Sequence, residues 1–368
     1  MIMQKNNRSS ADNIRVVVVD DSPTARELLV TLFRDMGGME VVGAGATGED
    51  AVQLVKRLRP DVVTIDVRMP KMDGLEATRR IMREFPTPIV IVTASVMRSD
   101  MDLTFEALRA GALTVVSKPG MADPETCDRV IQAVRLMSDV PVVHRWDGGE
   151  KAQDVPVSPD WDAWHLPEDI RRRIQRIGMA SSTGGPEALA KILGPLPASF
   201  PVPILVVQHI TRGFAVGLAE WLDSMTTLRV SLAGHGEIPR PGTVLLAPDD
   251  YHMRVSRGGV IELCKEPPYK GVRPSANYLF HSLTEAYGSR SMGIILTGMG
   301  DDGVEGLTDL HQAGGLVLAQ EEQSCVVYGM SGEAVTRNIV DRVLTLDQIA
   351  RVLSQLVRRQ GDEVVAYE

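Results

Sequence analysis

Cysteine is scarce in this chain of 368 residues. The three that occur, Cys127, Cys264 and Cys325, are widely spaced and odd in number. Such spacing excludes a disulfide framework and a cysteine metal cluster, and it fits a reducing compartment. Basic charge is also short: 39 Lys and Arg stand against 48 Asp and Glu, a net charge of −9. That sign disfavours nonspecific nucleic-acid binding. No apolar run approaches the ~18 residues that a membrane-spanning helix needs. The first 13 residues are polar, without the apolar core of a signal peptide. They read as a disordered lead, and the protein reads as cytoplasmic. Aromatics make up only 4% of the chain, yet 44% hydrophobic content still permits full cores. The length predicts about two domains.

The first 120 residues contain five short runs rich in Val and Ile, at 16–19, 41–44, 62–65, 89–92 and 113–116. Helix-length stretches separate them. The pattern predicts a five-stranded parallel, doubly wound sheet covered on both faces. Ligands of such sheets bind beyond the carboxyl ends of the strands. Asp20, Asp21, Asp66, Thr93 and Lys118 sit at or just past those ends. Three clustered carboxylates repel one another unless a cation joins them, and oxygen-only ligands suit Mg²⁺. A phosphoryl group on Asp66 would then meet the metal, Lys118 and the Thr93 hydroxyl. Taken singly, each residue has a plainer use. Asp20 and Asp21 are well placed to start the next helix, where Ser22 and Pro23 also read as a cap and a first-turn proline.

A helix at about 124–137 closes this region. Residues 139–173 lose periodicity and carry Pro141, Gly148, Gly149, Pro156, Pro159 and Pro167, with Trp146, Trp161 and Trp164. This is a linker in which Trp161 and Trp164 are expected to pack against one domain. Arg171, Arg172 and Arg173 read as a solvated helical turn.

A second α/β pattern follows. Strand-like runs occur at 177–180, 204–208, 243–247, 292–297 and 315–319, with helical segments at 186–193, 214–224 and 276–287. Residues 229–263 hold short runs and turns that suggest an antiparallel extension, including a hairpin of 252–255 and 260–263 around Gly258 and Gly259. The expected architecture is therefore α/β in two domains, the second with a mostly parallel sheet and an antiparallel edge.

Three reactive residue types follow runs of this second half. Ser182 comes after the run at 177–180, His209 after the run at 204–208, and Asp302 beyond the run at 292–297. A nucleophile, a base and an orienting acid at strand carboxyl ends belong on one rim. Gly184 and Gly185 let the chain turn into a helix started by Pro186, which places Ser182 near free N–H groups. Gly298 and Gly300 allow the segment around Met299 to approach the same point, and the Met299 N–H is a candidate oxyanion donor. Alternatives stay open on the residues alone. The SSTGGP segment could be a phosphate-binding loop, although it lacks the P-loop lysine and spacing. It is not a Gly-x-Ser-x-Gly elbow. His235, His252 and His281 are rival bases. Spacing does not separate Asp301 from Asp302.

The segments VVVVDDS (16–22), TIDVRMPKMDG (64–74), VTAS (92–95) and SKPG (117–120) resemble the receiver domain of two-component response regulators, over about residues 14–137. The resemblance implies that Asp66 is the phosphoacceptor. Asp20 and Asp21 would hold Mg²⁺ with it, and Thr93 and Lys118 would form the switch. The family usually carries a Tyr or Phe two or three residues before the lysine; here those positions are Val115 and Val116. The switch would then run through Thr93 and the 95–100 loop, or be weaker than usual.

Residues 176–358 resemble the catalytic domain of the chemotaxis-type protein-glutamate methylesterase family, CheB. The matching segments are ASSTGGPEAL (180–189), VVQHI (206–210), LLAPDDYHM (245–253), RPSANYLFHSL (273–283), ILTGMGDDG (295–303) and AQEEQSCVVYGM (319–330). The resemblance implies Ser182 as nucleophile, His209 as base, Asp302 as orienting acid, the Met299 N–H in the oxyanion hole and Thr183 as a positioning hydroxyl. It implies no cofactor for catalysis. Expected substrates are methyl-accepting chemotaxis receptors, met peripherally at the membrane, and the expected phosphodonor is a histidine kinase of the CheA type. The expected boundaries are 14–137 for the receiver, 138–174 for the linker and 175–368 for the methylesterase domain. Two departures from the family pattern are Ser181, a second hydroxyl beside Ser182, and the Ile210-Thr211-Arg212 loop after the histidine. The remaining alternatives are a phospho-responsive scaffold acting in another pathway and a DNA-binding regulator. Acidic charge and the lack of a helix-turn-helix pattern in 176–368 argue against the latter.

Overall fold

The computed structural model describes residues 13–93, 98–120, 123–140, 142 and 165–357. Trp146, Trp161, Trp164 and most of the expected linker lie outside the described residues. So do the polar lead up to residue 12 and residues 95–97 of the loop after Thr93. The chain divides into two compact units, residues 1–149 and 150–368.

In the first unit β1 (Arg15–Val19), β2 (Glu40–Gly45), β3 (Val62–Ile65), β4 (Ile89–Thr93) and β5 (Thr114–Ser117) form one parallel sheet in the order β2-β1-β3-β4-β5. Val16, Val17, Val18, Val62, Val63, Ile65, Ile89 and Ile91 are all fully buried, as strands covered on both faces require. The strands alternate with helices that their caps start locally. Ser22 accepts from the Ala25 N–H at the head of Pro23–Thr31, and a Thr47–Asp50 capping box opens Gly48–Leu58. Strand order reverses beside β1, so the crevice where ligands bind falls at the ends of β1 and β3.

The second unit has β6 (Arg176–Ser181), β7 (Ile204–Gln208), β8 (Arg229–Leu232), β9 (Thr243–Leu246), β10 (His252–Val255), β11 (Ile261–Cys264), β12 (Ser291–Ile295), β13 (Leu316–Gln320) and β14 (Arg342–Leu344). Seven of them make a sheet in the order β14-β13-β12-β6-β7-β9-β8, with every pairing parallel. The antiparallel part is a separate two-stranded sheet, β10-β11, turning through Gly259 at φ +77°. Residues 229–246 pair in parallel instead, because the chain from β8 crosses over before entering β9. One core packs Leu205, Val207 and Leu245 of the sheet against Phe280 and Leu283 of the helix Ala276–Tyr287 and Leu307 of the helix Val304–Gln312. Strand order reverses between β6 and β12. Ser182 follows β6, and the segment carrying Met299 and Asp302 follows β12.

Candidate active site

The backbone assembles the rim by extending the sheet past its strands. The Leu296 N–H donates to the Ala180 carbonyl at 2.9 Å, the Ser182 N–H to the Thr297 carbonyl at 3.0 Å, and the His209 N–H to the Ser181 carbonyl at 2.9 Å. The loops after β12, β6 and β7 are thereby laced side by side. Glycine is required where they touch. A Cβ on Gly298 would lie 2.7 Å from the Ser182 Cβ and 2.4 Å from the Met330 Sδ. Among the described residues neither the Ser182 hydroxyl nor the Met299 N–H has a hydrogen-bond partner, which leaves both for a substrate. The Thr183 carbonyl accepts from the Thr297 hydroxyl at 2.9 Å.

His209 Nε2 lies 2.8 Å from Asp302 Oδ2. Asp302 is 5% exposed and also accepts from the Ser275 hydroxyl at 2.6 Å, the Ala276 N–H at 2.6 Å and the Asn277 side-chain amide at 3.0 Å. Ser275 caps the helix Ala276–Tyr287, so this carboxylate sits at the positive end of a helix. Burial alone would raise its pKa. The His209 bond, the His209 charge and the Ser275 and Ala276 donors outweigh burial and hold it below the ordinary carboxylate value.

The rivals are engaged elsewhere. Asp301 pairs with Lys270 at 2.8 Å. His252 is fully buried, accepts from the Ser275 N–H at 3.1 Å and stacks on Tyr278; burial lowers its pKa. His281 pairs with Asp309 at 2.7 Å, and His235 accepts from the Leu263 N–H at 3.1 Å. Ser181 is fully buried and donates to Gln208. Ser275, Asn277 and Thr297 did not emerge from the sequence. Only Ser275, a helix-capping type between Pro274 and the run at 276–287, carried a readable signal.

In the first unit, Asp20 and Asp66 are buried and Asp21 is exposed, and their carboxylate oxygens lie within 4.8 Å of one another. The helix after β1 is capped by Ser22, so neither Asp20 nor Asp21 is its N-cap. Lys118 Nζ lies 2.7 Å from Asp20 Oδ2 and 2.7 Å from Asp66 Oδ2. Thr93 is buried at the end of β4, and its carbonyl accepts from the Lys118 N–H at 2.9 Å. Burial, with Asp20's charge adding to it, raises the Asp66 pKa against the pull of Lys118. The Lys118 pKa is also raised: burial opposes this, but the bonds to Asp20 and Asp66 prevail. Three hard oxygen donors with one shared ammonium leave negative charge uncompensated, and that donor set fits Mg²⁺.

Residues 16–130 match the response regulator receiver domain family, and residues 177–353 match the CheB methylesterase family. The chain is 47% identical, over 95% of its length and 99% of the relative's, to a protein-glutamate methylesterase/protein-glutamine glutaminase of Myxococcus xanthus. It is 44% identical to another of that name from Syntrophus aciditrophicus, over 93% of this chain and 98% of that one. This chain belongs to the CheB methylesterase family. A solved CheB methylesterase catalytic domain of Thermotoga maritima is 38% identical over 50% of this chain and 99% of its own, with a TM-score of 0.49. Val115 and Val116, ahead of Lys118, are buried. No described helix is long and apolar enough to cross a membrane.

Proposed function

We propose that this chain is a phosphorylation-regulated serine hydrolase. It removes methyl groups from glutamate methyl esters of methyl-accepting chemotaxis receptors and deamidates receptor glutamines. The reading is supported by full-length relatives that carry those two activities in their name. One observation carries the site assignment: a buried carboxylate, Asp302, bonded to His209 on the rim where the Ser182 hydroxyl is left unpartnered. Asp302 holds His209 by Nε2, so Nδ1 takes the Ser182 proton. Ser182 Oγ attacks the ester carbonyl, and the oxyanion is met by the Met299 N–H, with Thr183 positioning the base or the substrate. His209 returns the proton to the leaving group, which departs as methanol, or as ammonia from an amide. Water then repeats the cycle on the acyl-enzyme.

Control belongs to a receiver at 14–137, joined by a linker at 138–174 to the methylesterase domain at 175–368. Asp66 accepts the phosphoryl group from a histidine kinase of the CheA type, Lys118 pairs with it, and the Thr93 hydroxyl moves toward it. Asp20, Asp21 and Asp66 would hold Mg²⁺, which supplies counter-charge for the incoming phosphoryl group. The protein works in the cytoplasm, meeting receptors peripherally.

The test is methanol release from methylated receptor by the wild type and Ser182→Ala, each with and without a small phosphodonor plus Mg²⁺. Serine-dependent release that rises with the phosphodonor is expected. Serine-dependent release indifferent to it would remove the switch, and serine-independent release would remove the triad.

A further inference from the structure

Ser181 and Gln208 are the last residues of β6 and β7 and lie opposite each other in the parallel register. Both are buried, at 0% and 5% exposure. Neither belongs to the nucleophile–base–acid set. From their geometry we infer that they form a clasp that positions Ser182 and His209 relative to each other. The inference rests on the reading of Ser182 as nucleophile and His209 as base.

The side-chain amide of Gln208 makes three hydrogen bonds. Its Nε2 donates to the Ser182 carbonyl at 2.7 Å and to the His209 carbonyl at 2.8 Å. Its Oε1 accepts from the Ser181 hydroxyl at 2.6 Å. The orientation of the amide is forced. Two backbone carbonyls only accept, so the NH₂ must face them, and the oxygen must face Ser181. The Ser181 hydroxyl then has one role left, as donor. One planar group thus spans the main chains of the two residues between which a proton must pass. A hydroxyl on the neighbouring strand restrains the oxygen end of that group. The space is shaped around it: a Cβ on Gly185 would lie 2.0 Å from Gln208 Oε1. With Ala at position 181 the amide would keep its two carbonyls and lose the bond that fixes its plane.

Neither residue reaches the reacting atoms, so both are positioning residues. Their loss should lower kcat with little change in KM, because the near-attack geometry loosens while the substrate surface stays intact. Gln208→Met keeps the volume and removes both donors; about a tenfold fall in kcat is expected. Ser181→Ala should cost about threefold, since one restraint is lost rather than two. The decisive readout is the double variant. If Ser181 acts through Gln208, Ser181→Ala should cost nothing further in the Gln208→Met background. A merely structural pair would lower the melting temperature and leave kcat in place.

The measurement is steady-state methanol release by wild type, Ser181→Ala, Gln208→Met, the double variant and Ser182→Ala, all as full chains. Phosphonylation of Ser182 by a small phosphonate ester, with loss of its leaving group, is followed in parallel. Should Gln208→Met fail to fold, Ser181→Ala and Gln208→Glu carry the same comparison. A kcat within twofold of wild type in both single variants, with Ser182→Ala inactive, overturns the clasp and leaves the triad standing. Additive losses in the double variant also overturn it. An active Ser182→Ala removes the nucleophile assignment and the clasp with it.

Discussion

Asp302 and Asp66 are both carboxylates buried beyond the carboxyl end of a parallel sheet. Asp302 is met by donors of Ser275, Ala276 and Asn277 around the start of one helix and by His209, and its pKa is lowered. Asp66 shares the Lys118 ammonium with a second carboxylate, Asp20, and its pKa is raised. A carboxylate surrounded by fixed donors is a permanent anion: it orients its partner and has no lone pair to spare. A carboxylate left short of counter-charge remains a competent nucleophile and draws in a cation. The same side chain, at equivalent places in two α/β sheets, is thus prepared for two kinds of work by what donates to it.

The strongest way to break the comparison is in the catalytic half. Ser182→Ala should lower kcat for methanol release by on the order of 10⁴–10⁶. Asp302→Asn keeps the shape but turns an acceptor into a donor facing the Ser275 hydroxyl and the Asn277 amide. Its kcat should fall on the order of 10⁴, as His209 loses its orienting anion. A loss below tenfold would make the cradle a structural cap and leave the base oriented by other means.

The strand runs were legible because parallel strands buried on both faces read as unbroken Val and Ile. β8 and β14 were not. They are edge strands with partly exposed residues, and RVSL and RVL carry too little apolar length to stand out. Ser182, His209 and Asp302 could be nominated because each follows a legible run. What spacing could not do was separate Asp301 from Asp302, because one residue turns the side chain from the Lys270 surface pair into the buried cradle. Gln208 was invisible for a different reason. Two of its three hydrogen bonds go to Ser181 and Ser182, which only the pairing of β6 with β7 brings near, and nothing about a glutamine at a strand end announces them.

On the receiver side the expected effect is on control rather than chemistry. Asp66→Asn should abolish the response of methanol release to a small phosphodonor and eliminate the base-labile, hydroxylamine-sensitive phosphoryl signal of an acyl phosphate. Removing residues 1–150 should raise release above that of the unphosphorylated full chain. No rise would mean that the receiver localises the enzyme without inhibiting it.

The smallest effect separates the two carboxylates by sign. Asp302 has a folded pKa below the ordinary 3.8, so its contribution to stability is present above that value and is lost as pH falls through the lower folded value. Asp66 has a folded pKa above 3.8, so its favourable contribution is full only below 3.8 and is lost as pH rises through the raised value. At pH 7 Asp66 is therefore a cost to its unit when no cation is bound. Asp66→Asn should raise the melting temperature of the receiver by a few degrees at pH 7 without Mg²⁺ and gain nothing in acid. Asp302→Asn should lower the melting temperature of its unit at pH 7, with the penalty shrinking in acid as the wild-type carboxylate protonates. Added Mg²⁺ should raise the wild-type receiver transition and leave Asp66→Asn with a smaller rise. Melting curves at two pH values, with and without Mg²⁺, read all four arms. Equal shifts for both variants at pH 7 would mean that burial, not the donor set, decides how each carboxylate is held.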